Sequence, residues 1–268
     1  FYTPDQIYQA VEKHLVQTRE KGDRVDYLTF VPDGEPTLDS RLSESIERLR
    51  PLGIPVAIIS NASLIWREEV RESLMKADWV SLKVDAIDET LWRRINRPHP
   101  SLDHQAILDG VSAFTDDFRG TLATESMIVK GLNDNDQTAK DLADFLGKLG
   151  PDIAYLSVPT RPPAEKSVHA PDEVTLNRVY QIISQKVNNL ELLTGYEGNA
   201  FAFTGDVAED LLSITSVHPM REEAVRKLLD KAGAHWNVVE QLIADEQLKL
   251  TEYEGRKFYV RCIPDKSE

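Results

Sequence analysis

"VDYLTFVPDGEPTL", residues 25–38, decides the fold. Residues 25–31 have the branched and aromatic composition of a strand. They run straight into Asp33-Gly34-Glu35-Pro36-Thr37, and apolar residues at helical spacing follow over Ser40–Leu49. Strand, polar tip and helix make one βα unit. Its unusual feature is a carboxylate held between Gly and Pro at the very end of a strand. Gly34 lets the backbone approach a ligand closely, and Pro36 fixes the chain beyond Glu35.

The same alternation extends in both directions. Thr3–Glu20 reads as a helix with Thr3 as N-cap and Pro4 in the first turn. Pro55–Ile59, Trp79–Val84, Thr121–Val129 and Ile153–Val158 read as strands. Between and after them lie predicted helices at Glu68–Ala77, Glu89–Ile95, Leu102–Phe118 (capped by Ser101), Asp136–Leu149 and Glu173–Asn188. Near-continuous apolar strands separated by helices indicate a parallel sheet covered by helices. Right-handed crossovers then give a (β/α) barrel or an open sheet. The pattern breaks near Gly205. Helices at Val207–Ile214, Met220–Ala232 and Trp236–Asp245 precede two strands, Leu248–Tyr253 and Lys257–Cys262, about Glu254-Gly255-Arg256. This is the order of a winged helix, so two domains are expected, 1–205 and 206–268.

Composition narrows the function. A chain of 268 residues can bury a sizeable core. The formal charge of −14 disfavours a simple phosphate-backbone binder. From Asp206 onward thirteen acidic residues face nine basic ones, although Arg256, Lys257 and Arg261 could form a small positive wing. No apolar run approaches the roughly 20 residues of a membrane span, and the opening residues read as a helix start rather than a signal peptide. One cysteine, Cys262, excludes disulfides and any cysteine cage built from these residues alone. A cytoplasmic protein with no membrane partner and no metal ligand set of its own is therefore expected, of undetermined oligomeric state. Asn133-Asp134-Asn135-Asp136 superficially suggests a calcium loop but lacks its glycine and terminal glutamate, so a helix N-cap is expected.

In α/β sheets, ligands gather at the C-terminal ends of the strands. The tips here are polar: Asp33-Gly34-Glu35-Pro36-Thr37, Ser60-Asn61, Ser81 with Lys83 and Asp85, Glu125 with Met127, and Thr160-Arg161. They suit a zwitterionic ligand, with Glu35 and backbone carbonyls facing an ammonium group and Lys83 a carboxylate. Asn61, Ser81 and Asp85 suit ribose hydroxyls. The plainer reading is that Asp33 and Glu35 only cap the following helix. Arg97, in the basic stretch Arg93–His99, and Glu125, Arg161, Glu197 and Asn199 are candidates for substrate contacts.

These residues resemble a known family. "GEPTL" after a strand resembles the Gly-Glu-Pro motif of radical S-adenosylmethionine (SAM) enzymes. "TFVPDGEPTLD", "ISNASLIW", "WVSLKVDA", "RINRPH", "ESMIVKGLND" and "VPTRPPAE", in this order, resemble an archaeal and bacterial branch related to wyosine-base synthase, which remodels a guanosine in tRNA. The resemblance implies a partial (β/α)6 barrel lacking its first strand. It implies a [4Fe–4S] cluster held by a CxxxCxxC loop, reductive cleavage of SAM to a 5′-deoxyadenosyl radical, and hydrogen abstraction from a substrate, with a tRNA base as leading candidate. An electron donor of the reduced ferredoxin or flavodoxin type is implied as partner. Gly34, Glu35, Pro36 and Thr37 match the motif at the SAM amino group. Asn61, Ser81, Lys83 and Asp85 match polar positions near its ribose and carboxylate, and Met127 and Val129 lie on the strand that packs against adenine. The sequence departs from the family in having no CxxxCxxC, so a truncation ahead of Phe1 is expected, and this chain alone should be inactive. The alternatives are a cluster-less SAM- or RNA-binding module and an ordinary α/β enzyme. Glu35→Ala and Asp85→Ala are expected to weaken SAM binding and leave the fold intact.

Overall fold

The computed structural model describes residues 2–20, 24–31, 34–163, 165, 167–193, 205–217, 219–253 and 255–262. Two compact units emerge: residues 1–13, 25–159 and 167–194 in the first, and 14–24, 160–166 and 195–268 in the second. Helix α1 (Pro4–Glu20) opens the chain. Thr3 Oγ1 accepts the Gln6 N–H at 3.2 Å while Gln6 Oε1 accepts the Thr3 N–H at 2.9 Å, a reciprocal cap.

In the first unit, β1 (Leu28–Phe30), β2 (Val56–Ser60), β3 (Trp79–Lys83), β4 (Thr121–Met127), β5 (Ile153–Ser157) and β6 (Leu190–Leu193) form one parallel sheet in sequential order. Among the described residues β1 and β6 are its edges. The connections carry α2 (Leu42–Leu49), α3 (Glu68–Leu74), α4 (Glu89–Asn96), α5 (His104–Asp117), α6 (Asp136–Leu149) and α7 (Glu173–Ser184). Val56, Ile58, Val80, Leu82, Leu122 and Leu156 pack on one sheet face against Ile46, Leu74, Val111, Phe114, Leu146 and Ile183 of the helices. Strand side chains alternate between faces. Ala57, Ile59, Ser81, Lys83, Ala123, Glu125, Tyr155 and Ser157 therefore share the opposite face, clear of that core.

Several expectations change in detail. Strand β6 lies in Leu190–Leu193, four residues too few to show the alternation that marks a strand. Helix α5 is capped by Asp103, whose carboxylate accepts the Ala106 N–H, and not by Ser101, which bonds His99. The segment after β1 forms a short 3₁₀ turn, Pro36–Leu38, before α2 begins. Asn135 caps α6, accepting the Gln137 and Thr138 N–H groups, in agreement with the capping assignment for that segment.

The second unit contains α8 (Val207–Val217), β7 (Met220–Arg221), α9 (Glu222–Ala232), α10 (Asn237–Ala244), β8 (Leu248–Tyr253) and β9 (Arg256–Arg261). Its antiparallel sheet has the order β7-β9-β8. Met220 belongs to β7, opposite Tyr259, and not to the following helix as its apolar spacing suggests. Leu211, Met220, Val225, Leu228, Val239, Leu242, Leu248 and Tyr259 form the core. Trp236 packs on it, edge-on to Tyr259 at 5.7 Å between ring centroids.

Candidate functional site

The Gly34-Glu35-Pro36-Thr37 tip is built around the Glu35 side chain, which is only 6% exposed. Its Oε1 accepts the Thr37 N–H (3.1 Å), the Thr37 hydroxyl (2.8 Å) and the Ser60 hydroxyl (2.7 Å). Its Oε2 accepts the Asn61 N–H at 2.7 Å. The carboxylate thus caps the 3₁₀ turn and bolts the end of β1 to the end of β2. The capping reading holds for Glu35, and the carboxylate is saturated by protein donors rather than open to an ammonium group. The carbonyls of Glu35 and Pro36 accept the Leu38 and Asp39 N–H groups. The Gly34 carbonyl accepts none among the described residues, and a side chain at Gly34 would meet nothing within 4 Å.

The end of β3 is organised by Asp85, 2% exposed. Oδ1 accepts the Met127 N–H at 2.7 Å and lies 3.2 Å from Lys83 Nζ, and Oδ2 accepts Asn96 Nδ2 at 2.6 Å. Asn133 ties the next strand in place. Its Nδ2 donates to the carbonyls of Asp85 (2.9 Å) and Met127 (2.8 Å), and its Oδ1 accepts the Val129 N–H at 2.7 Å. Asp85 is therefore a structural bolt as well, buried and engaged at both oxygens. Lys83 also reaches Glu125 Oε1 at 3.8 Å, and the Ser157 hydroxyl donates to that oxygen at 2.9 Å. Burial lowers the Lys83 pKa, but Asp85 and Glu125 outweigh it and hold the ammonium above the ordinary lysine range.

Strand register puts Lys83, Glu125, Tyr155 and Glu191 in one row across β3 to β6. One row earlier stand Ile59, Ser81, Ala123 and Ile153. Ser81 is 4% exposed, and neither its hydroxyl nor that of Tyr155 makes a hydrogen bond within the described residues. Burial first, and then the Glu191 charge, raise the Tyr155 pKa, so the phenol stays protonated at neutral pH.

Among the remaining candidates, Pro36 and Thr37 are buried within the 3₁₀ turn. The Asn61 side chain is exposed and accepts the Ser63 N–H. Met127 is half-buried at the end of β4, and Val129 is buried just beyond it. Arg97 ends α4 in the left-handed region, φ 48°, one residue from the Asn96 that holds Asp85. Arg161 belongs to the second unit. Glu197, Asn199 and Asp33 lie outside the described residues. Sequence reasoning named Ser60 only as part of a polar tip and missed the roles of Asn96, Asn133, Ser157, Tyr155 and Glu191. For Tyr155 the period-two alternation of β5 was an available signal, while Asn96 and Asn133 become meaningful only through tertiary contacts with Asp85.

A parallel sheet covered by helices, with polar strand tips at its C-terminal edge, makes an α/β scaffold of the kind in which ligands gather at that edge. Residues 1–146 match the Radical SAM superfamily, and the chain belongs to it. It is 42% identical to UPF0026 protein MJ1312 of Methanocaldococcus jannaschii over 270 aligned positions, covering 100% of this chain and 84% of that protein. The solved structure of TYW1 with a lysine-pyruvate adduct bound superposes with a TM-score of 0.54 at 14% identity, over 69% of this chain and 64% of that one. SuiB of Streptococcus suis bound to S-adenosylmethionine gives 0.53 at 15% identity, over 75% of this chain and 48% of that one. At these identities the two structures show a shared fold. No helix among the described residues is long and apolar enough to cross a membrane.

The superfamily implies SAM and a [4Fe–4S] cluster, which the residues present fit differently. For SAM they fit: Gly34 leaves open space beside its carbonyl, and among the described residues neither that carbonyl nor the Ser81 hydroxyl has a hydrogen-bond partner. For the cluster they do not. The sequence has one cysteine, and no group of three or more His, Cys, Asp or Glu among the described residues is arranged to hold a metal ion.

Proposed function

We propose that this chain is the SAM-holding part of a radical SAM enzyme. The observation that carries the reading is the pair of bolted strand tips beside a hydroxyl and a carbonyl that have no partner among the described residues, in a chain of that superfamily. SAM supplies, when bound and reductively cleaved, the 5′-deoxyadenosyl group that removes a substrate hydrogen. The Gly34 carbonyl takes the SAM ammonium, with the Glu35 bolt fixing its position. Ser81 and Asn61 donate to the ribose, and Lys83, held as an ammonium by Asp85 and Glu125, faces the carboxylate. Met127 and Val129 line the adenine side. Strong hydrogen bonds to a charged ligand group contribute about 1.5–3 kcal/mol each.

Cluster thiolates must come from residues outside these 268, and the free edge of β1 is where a preceding strand would pair. The substrate is a tRNA base of the wyosine-related type, supported by the sequence blocks quoted above. Arg97, Glu125, Arg161, Glu197 and Asn199 are its contact candidates, and a reduced ferredoxin or flavodoxin is the electron source in the cytoplasm. Within the second unit, residues from about 206 form a winged-helix domain, supported by the order α8, β7, α9, α10, β8, β9. The test has two arms. Calorimetric titration of this chain with SAM should show one site, abolished by Gly34→Val. Anaerobic reconstitution should load iron only when cysteines from outside residues 1–268 are present. SAM binding with no iron uptake in either form would make it a binding module. No SAM binding at all would overturn the reading.

A further inference from the structure

The SAM reading uses the ends of β1 to β4 and leaves β5 and β6 unassigned. On the sheet face away from the helices these two strands carry Ile153, Tyr155 and Ser157, then Glu191 and Leu193. Register sets Tyr155 directly opposite Glu191, in the row that begins with Lys83 and Glu125. Neighbouring strands stand about 4.8 Å apart, so the two side chains leave the sheet side by side. Ile153 lies two residues before Tyr155, and the exposed Leu193 two residues after Glu191, so apolar side chains bracket the pair.

Hydrogen-bonding capacity along this row is uneven. Glu125 is tied by the Ser157 hydroxyl at 2.9 Å and by Lys83. Both Glu191 oxygens and the Tyr155 hydroxyl have no hydrogen-bond partner among the described residues. Ser81, nearly buried on the same face with its hydroxyl equally unengaged, is a separate sign that this face receives a ligand. Lys83 is the one cation on the face among the described residues, and Asp85 and Glu125 hold it, so the face is unsuited to a phosphate. A carboxylate with both oxygens open takes two adjacent donors. A protonated phenol beside it donates to an acceptor. Among the RNA bases only the pairing edge of guanine presents that order, the 2-amino group and N1–H followed by O6. Unpaired bases are read on this edge, with their flat faces against ring or apolar side chains.

We propose that Glu191 and Tyr155 form a guanine-edge subsite. Glu191 accepts from N1–H and the 2-amino group, Tyr155 donates to O6, and Ile153 and Leu193 flank the ring. The inference rests on the SAM reading above for the position of the reacting group, on the neighbouring strands β1 to β4. Both residues determine specificity, and neither takes part in a bond-breaking step.

The test is a calorimetric titration of the full chain with guanosine, inosine and adenosine, with SAM present and absent. Inosine is guanosine without the 2-amino group. Guanosine should bind about tenfold more tightly than inosine, the worth of one hydrogen bond to a charged acceptor, with adenosine weakest. Glu191→Ala should bring guanosine and inosine to equal affinity. Tyr155→Phe should weaken both by about fivefold and keep their ratio, because O6 is common to the two. Neither side chain is engaged in the fold, so both variants should melt near the wild-type midpoint and titrate SAM as wild type does. Equal affinity for guanosine and inosine in the wild type, tighter binding of adenosine, or a guanosine preference that survives Glu191→Ala overturns the subsite. SAM binding without nucleoside discrimination removes this inference and leaves the SAM reading. Discrimination in the expected pattern without SAM binding does the reverse.

Discussion

Glu35 at the tip of β1 and Asp85 at the tip of β3 are both buried carboxylates, yet their charges are met by different means. Four uncharged donors surround Glu35, two backbone N–H groups and two hydroxyls, and no cation touches it among the described residues. Asp85 has one backbone N–H, one amide and the Lys83 ammonium. Dipoles stabilise a charge without cancelling it, so the field of Glu35 still reaches the space in front of Gly34. At the second tip Lys83 is shared with Glu125, so two carboxylates face one ammonium. The first tip thus keeps a dipole-held carboxylate next to Gly34, and the second keeps a lysine in its charged state between two carboxylates.

The two tips can be separated by substitution. Asp85→Ala removes one partner of a buried pair and also strands the Met127 N–H. A loss of about 3–5 kcal/mol is expected in urea denaturation. Glu35→Ala strands four neutral donors, two of them hydroxyls that can turn elsewhere, and should cost less, about 2–3 kcal/mol. Both variants are therefore expected to keep the fold at reduced stability, so their SAM titrations are to be run well below the thermal midpoint. If Glu35→Ala proved the costlier, the distinction between dipole-held and ion-paired carboxylates would fail. Lys83→Met should cost about 1–2 kcal/mol at neutral pH. Its pH signature is sharper. Because the folded-state Lys83 pKa is raised, its contribution is fully present below the ordinary lysine value of about 10.4 and is lost as pH rises through the higher folded value. Wild type should lose stability over that window relative to Lys83→Met, and parallel curves there would remove Lys83 from the ion pair.

The sequence makes the strand tips legible but not their inner wiring. Alternation of apolar strands with helices suffices to place β1 to β5, since buried parallel strands read as continuous apolar runs such as "PVAII". Strand β6 and β7 escape because four and two residues carry no period, and pairing with β5 and β9 is what extends them. The polar tips were visible as residue types, and Lys83 beside Asp85 was visible as a pair. What the sequence does not show is that Glu35 and Asp85 turn inward. That depends on Ser60 and Asn61, 25 and 26 positions from Glu35, and on Asn96, Met127 and Asn133, 11 to 48 positions from Asp85. A carboxylate after a strand is equally compatible with a bolt and with a ligand contact, and only the long-range donors decide.

Ser81 gives the smallest expected effect on stability and the cleanest view of the ligand. It stands on the face of β3 away from the helices, two residues before Lys83, nearly buried but with a hydroxyl that no group among the described residues engages. A hydroxyl with no protein partner contributes little to folding, so Ser81→Ala should change stability by no more than about 0.5 kcal/mol. If the hydroxyl donates to the SAM ribose, the same substitution removes a bond of about 1 kcal/mol and weakens SAM binding about fivefold. Thr124, one strand over on the core face and without a partner for its hydroxyl, is the matching control. Thr124→Val removes an unsatisfied buried hydroxyl and should hold or raise stability while leaving SAM affinity unchanged. Should both substitutions leave SAM affinity unchanged, the free face of β3 would not be where the ribose lies, and the ligand would have to rest on the tip of β1 alone.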